Sequence, residues 1–160
     1  MILNRQRRVR VSVRDLGKFL ARASRVLRLP SGSFTVCLVT DAEIARWNRG
    51  YRGKQGPTDV LSFPTVAQKG KRPMKRKNGT PRKRRSDFPF PRFSASYLGD
   101  IAIAPAVARR NARRFKRTFE EEMRILIVHG MLHLMGYDHE TDTGQMDRRE
   151  RRVRRRLGLA

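Results

Sequence analysis

The sequence predicts an α/β (α+β) chain of about four short strands and about five helices. Three observations carry this prediction. Short β-branched or aromatic runs occur at 33–39, 59–63 and 98–104, with a weaker alternating stretch inside 2–11. The segments between and after them return apolar residues at helical spacing. One of those helices, opening near Thr118, is apolar all round from Ile125 to Val128, so it is predicted to be central and buried. At 160 residues the chain is long enough for one core, and it is read as a single domain, 1–160.

Taken in order, Val9 and Val11 alternate with Arg8 and Arg10, which predicts an edge strand near the start. Leu16, Phe19, Leu20, Ala23, Val26 and Leu27 then follow a helical period, with Ser12 placed to cap the helix and Leu29-Pro30-Ser31-Gly32 to stop it. Ser33 to Val39 reads as a buried strand. Asp41 is the expected N-cap of a second helix lined by Ile44, Trp47 and Tyr51. Gly50, Gly53, Gly56 and Pro57 mark a loop carrying Arg52 and Lys54.

A strand follows at Asp59–Phe63, stopped by Pro64, and another at Leu98–Ala104. Pro105 suits the first turn of a helix running to about Arg114. Thr118 and Glu121 form a capping-box pattern that opens the central helix. The last helix runs from about Thr143 to Leu157, with Met146, Val153 and Leu157 inward and arginines outward.

Residues 66–97 are different in kind. Lys69, Lys71, Arg72, Lys75, Arg76, Lys77, Arg82, Lys83, Arg84, Arg85 and Arg92 face Asp87 as the lone acid, and Pro73, Pro81, Pro89 and Pro91 interrupt the run. Charge repulsion and proline oppose a packed structure, so the segment is read as a mobile basic insertion loop. Phe88, Phe90 and Phe93 are placed either to stack on nucleic-acid bases or to dock the loop.

The whole chain holds 38 Lys+Arg against 14 Asp+Glu, a formal charge of +24. Such a chain is drawn to polyanions. No apolar run reaches the length of a membrane span, and the first residues lack the apolar stretch of a signal peptide. Cys37 is the single cysteine, which excludes an internal disulfide and fits a reducing cytoplasm.

All three histidines lie in one stretch, His129-Gly130-Met131-Leu132-His133-Leu134-Met135-Gly136-Tyr137-Asp138-His139. His129 and His133 are one turn apart on a helix face, and Gly136 allows a sharp stop after which His139 can swing back. Three imidazoles with an open fourth position suit a catalytic zinc ion, one per chain, although nickel, cobalt, iron and copper also accept imidazole. Such an ion can acidify water and polarise a phosphoryl or carbonyl oxygen. Gly130 stands where the zinc proteases of the H-E-x-x-H type carry their glutamate base, which argues against peptide hydrolysis and is expected to clear space beside the metal. A phosphodiester substrate needs positive charge at its transition state, and Arg52 is a candidate, the plainer reading being one solvated arginine among many.

The histidine stretch resembles the H-G-x-L-H-L-x-G-Y-D-H motif of the YbeY family of bacterial rRNA maturation endoribonucleases. Tyr51-Arg52-Gly53-Lys54 with Pro57-Thr58-Asp59-Val60-Leu61-Ser62-Phe63-Pro64, and Leu98-Gly99-Asp100-Ile101, are similar to that family's other motifs. The resemblance implies a small mixed sheet beside the histidine-bearing helix, zinc on His129, His133 and His139, and a catalytic role for Arg52. It implies single-strand-specific endoribonuclease activity on the 3′ end of 16S rRNA and in ribosome quality control. It also implies a cytoplasmic protein that meets the small ribosomal subunit and its assembly factors. The basic insertion departs from the family pattern. Two other functions fit part of the sequence: an rRNA-binding assembly factor with a structural metal, and a metalloprotease-like hydrolase.

Overall fold

A computed structural model describes residues 1–65 and 97–159. Its element order is β1 (Ile2–Asn4), α1 (Val13–Leu27), β2 (Phe34–Leu38), α2 (Asp41–Arg52), β3 (Val60–Pro64), β4 (Gly99–Ile103), α3 (Pro105–Arg114), α4 (Phe119–Leu134) and α5 (Gln145–Leu157). The expected insertion at 66–97 lies, apart from Tyr97, outside the described residues.

The four strands form one mixed sheet in the order β1-β2-β4-β3. β1 and β4 run parallel to β2, and β3 runs antiparallel to β4. Because side chains alternate across a strand, the sheet feeds two apolar clusters. Val36, Leu38, Ile101 and Ile103 point into the larger one with α1, α4 and α5. Cys37, Val39, Leu61, Phe63, Ala102 and Ala104 point into the smaller one with Ile44 of α2 and Val107 of α3. Gly99 is required where β3 and β4 converge: its φ is +141°, and a Cβ there would meet the Phe63 carbonyl oxygen at 2.1 Å.

The predicted elements are present, with shifts that have local causes. The first strand is Ile2–Asn4 rather than the Val9–Val11 alternation. Val9 is buried, but its backbone is satisfied by a side chain: the Gln6 amide donates to the Val9 carbonyl at 2.9 Å and accepts from the Val9 N–H at 2.9 Å. The N-cap of α2 is Thr40, not Asp41, because Thr40 and Glu43 make a reciprocal capping box. Ser12 and Thr118 cap α1 and α4 as expected. α5 begins at Gln145 instead of Thr143 because Asp142 accepts from the backbone N–H groups of Gly144, Gln145 and Met146, which holds the preceding turn apart from the helix. Among the described residues no helix is long and apolar enough to cross a membrane.

Candidate metal centre

α4 is built to hold side chains in register. Its first turn carries Glu120, Glu121 and Glu122 beside the positive end of the helix dipole, and ten of its residues are buried. Its C-terminus closes in a Schellman motif: the Gly136 N–H donates to the His133 carbonyl and the Tyr137 N–H to the Leu132 carbonyl, each at 3.1 Å. Gly136 makes this possible with φ +98°, in the left-handed region. The chain turns there, and Asp138 fixes the following loop by accepting from the Glu140 N–H at 3.1 Å.

The turn brings the three histidines together. Their ring centroids are 4.7, 5.3 and 5.2 Å apart. One nitrogen from each lies within 4.8 Å of the others. The Nε2 atoms of His129 and His133 are 3.1 Å apart. Two nitrogens on one tetrahedral metal at ~2.0–2.1 Å lie roughly 3.3 Å from each other, so this pair already has the spacing of a shared ion. Burial, then the charges of His129 and His139, push the His133 imidazole down to about 4, which leaves its lone pair free at physiological pH. His129 and His133 are half-buried and His139 is exposed, so the trio is open on one side. These residues fit a metal with a vacant coordination position.

Gly130 has a different role from the one expected. A Cβ at this position would meet Ile101 of β4 at 2.7, 3.1 and 3.2 Å. The glycine therefore lets α4 lie close on the sheet, with its face toward Ile101. Ser62 of β3 donates to the Gly130 carbonyl at 3.3 Å across the same contact.

Arg52 is the last residue of α2 rather than a loop residue, and Gly53 caps it with φ +69°. Its guanidinium donates to Glu140 at 2.5 Å, and Lys54 Nζ is 3.9 Å from the same carboxylate oxygen. The end of α2 is thus tied to the residue that follows His139. The loop beyond is held by Asn48, which donates to the Gly56 carbonyl at 3.0 Å, and by Asn111 of α3, which donates to Asp59 at 2.9 Å.

Sequence reasoning missed Glu150. It sits on the inner face of α5, 8% exposed, with its Oε2 3.0 Å from His129 Nδ1 and its Oε1 paired with Arg154. Burial alone would raise its carboxyl pKa, but the His129 hydrogen bond and the Arg154 charge outweigh it and hold the group below its ordinary value. A signal was available: Glu150 is four residues after Met146 and three before Val153, so it interrupts an apolar stripe with a carboxylate.

The model of the family described as Endoribonuclease YbeY matches residues 2–158. A Koribacter versatilis protein named Endoribonuclease YbeY is 33% identical over 159 residues, 99% of this chain and 86% of that protein. Relatives of the same name from Solibacter usitatus and a Sulfurovum strain are 40% and 39% identical, covering 79% and 76% of this chain and 67% and 71% of their own. The solution structure of a Thermotoga maritima protein superposes with a TM-score of 0.55 at 26% identity, covering 98% of this chain and 89% of its own.

Proposed function

Because this chain belongs to the YbeY endoribonuclease family, we propose that it is a zinc-dependent endoribonuclease that cuts single-stranded RNA and matures the 3′ end of 16S rRNA. The observation that carries the metal-dependent reading is the open trio of His129, His133 and His139. The proposal extends to ribosome quality control, to the small ribosomal subunit and its assembly factors as partners, and to a cytoplasmic location. The +24 charge supports an RNA substrate. One sheet feeding both apolar clusters supports reading residues 1–160 as one domain with 66–97 as an insertion.

His129, His133 and His139 would hold one zinc ion per chain. Bound there, zinc supplies Lewis-acid polarisation of a phosphoryl oxygen and lowers the pKa of water. The chain's own residues do the rest. Arg52 neutralises charge gathering on the phosphate, and its planar fork can grip two phosphate oxygens at once. Glu140 holds that guanidinium in place before RNA arrives. Basic residues along the chain bind the backbone without reading sequence.

The protease alternative is disfavoured by Ile101, which leaves no room for a glutamate side chain at position 130. The assembly-factor alternative, with a structural metal, is disfavoured by a donor group of three histidines among the described residues, since structural zinc sites carry four protein ligands. The deciding experiment measures metal content and RNA cleavage on one purified sample, with single-stranded and duplex substrates. Single-stranded cleavage that is abolished by chelator and restored by zinc supports the reading, as does loss of bound metal in His133→Ala. A chelator-insensitive cleavage rate would overturn it.

A further inference from the structure

Glu150 lies outside the histidine motif and is joined to the trio through His129. His129 Nδ1 lies 3.0 Å from its Oε2, while its Oε1 is paired with Arg154, four residues on along α5. Glu150 is buried, with its side chain 10% exposed, so water competes poorly for it. An ionised carboxylate only accepts hydrogen bonds. With its other oxygen taken by Arg154, Glu150 is placed to accept from a His129 Nδ1–H, and the tautomer with that proton leaves Nε2 as the acceptor atom. That Nε2 is the atom 3.1 Å from His133 Nε2, inside the trio.

We propose that Glu150 is a positioning residue that locks His129 in the Nδ1–H tautomer and thereby presents its Nε2 to the metal, with Arg154 holding Glu150 in place. The inference rests on the reading of the trio as a metal site. It makes α5 a part of that site, although α5 supplies no ligand. Without Glu150, His129 can exchange tautomers and can donate an Nε2–H toward His133, which closes the position a metal needs. Outer partners of metal-ligating histidines commonly set affinity by about 10–100-fold.

The test has two arms on full-length Glu150→Ala and Glu150→Gln, the second keeping the shape if the first fails to fold. Long-range ¹H–¹⁵N spectra of metal-free protein report the His129 tautomer directly. The parent should show a single Nδ1–H form and Glu150→Ala a mixture. Competition with a chromophoric chelator should show a zinc dissociation constant about 10–100-fold weaker in Glu150→Ala, with Glu150→Gln between it and the parent. A residue with only a packing role would lower the melting temperature of the metal-free fold and leave both readouts at parental values, and that result would overturn the proposal. Failure of the parent itself to bind zinc would instead sink the metal reading of the trio, while the tautomer arm still tests Glu150 on its own.

Discussion

Gly130→Ala probes how α4 is seated on the sheet, and two effects of opposite sign make its outcome informative. Alanine is favoured over glycine in a helix interior by about 0.8–1.0 kcal/mol, so on propensity alone the change stabilises α4. Against this, the new Cβ would lie 2.7 Å from Ile101 Cγ2, with Cδ1 and Cγ1 at 3.1 and 3.2 Å. The optimum between carbons is about 3.5–4.0 Å, so the contact is deep in repulsion. Ile101 cannot step aside cheaply: it is fully buried, and its branched side chain is stiff at χ1.

Overpacking of this kind costs about 1–3 kcal/mol, which exceeds the propensity gain. With the cost at about 2 kcal/mol, the middle of that range, the net expectation is a loss of about 1 kcal/mol, read as a fall of roughly 2–4 °C in the Tm of metal-free protein. A double-mutant cycle locates the cause. Ile101→Ala alone removes packing and costs about 2–5 kcal/mol. Combined with Gly130→Ala it should cost less than the sum by at least ~1 kcal/mol, because the new methyl enters the space that isoleucine leaves. Chemical denaturation of the four proteins gives each value. A Gly130→Ala protein as stable as the parent, or more stable, would show that propensity wins and that the close approach to Ile101 is not what demands glycine.

Three further outcomes are expected. Arg52→Lys keeps the charge and loses the planar fork, so RNA cleavage should fall on the order of 10²–10³-fold while affinity in a separate binding titration changes far less; a parental cleavage rate would remove Arg52 from the proposed chemistry. Shortening residues 66–97 should flatten the dependence of RNA affinity on salt and leave zinc content unchanged, and an unaltered slope would move the RNA contacts to the arginines of 109–117 and 148–156. Asp142 is held below its ordinary carboxyl pKa, first by the Met146 N–H and then by those of Gly144 and Gln145. A depressed folded pKa gives stability that is present above the unfolded value near 3.9 and is lost as pH falls through the folded one. Melts of Asp142→Asn should therefore lie below the parent at pH 7 and converge with it below about pH 4; a constant gap would mean that the charge contributes nothing.

Much of the fold was legible locally. The apolar period of α1 and its cap at Ser12, the capping box at Thr118 and Glu121, and Pro105 at the start of α3 all fall where sequence placed them. Each depends on residues within about one helical turn, and propensity and capping act at that range. The misplacements came where a side chain substituted for backbone pairing. Gln6 gives Val9 the bonds of a strand without a strand, and Asp142 delays the start of α5.

The histidines belong to the legible part as well. His129 and His133 share a helix face by spacing, and Gly136 supplies the turn that returns His139, so the trio is fixed within eleven consecutive residues. Tertiary structure decided what surrounds it. Which strand crowds Gly130 is set by the order β1-β2-β4-β3, which puts Ile101 beneath α4. That Arg52 reaches Glu140 across 88 residues, and Glu150 reaches His129 across 21, follows from how α2 and α5 dock. Periodicity shows that a helix has an inner face, but not which group of another element it meets there. That choice is made by packing, because only the assembled layers bring a carboxylate on one helix within hydrogen-bond reach of an imidazole on the next.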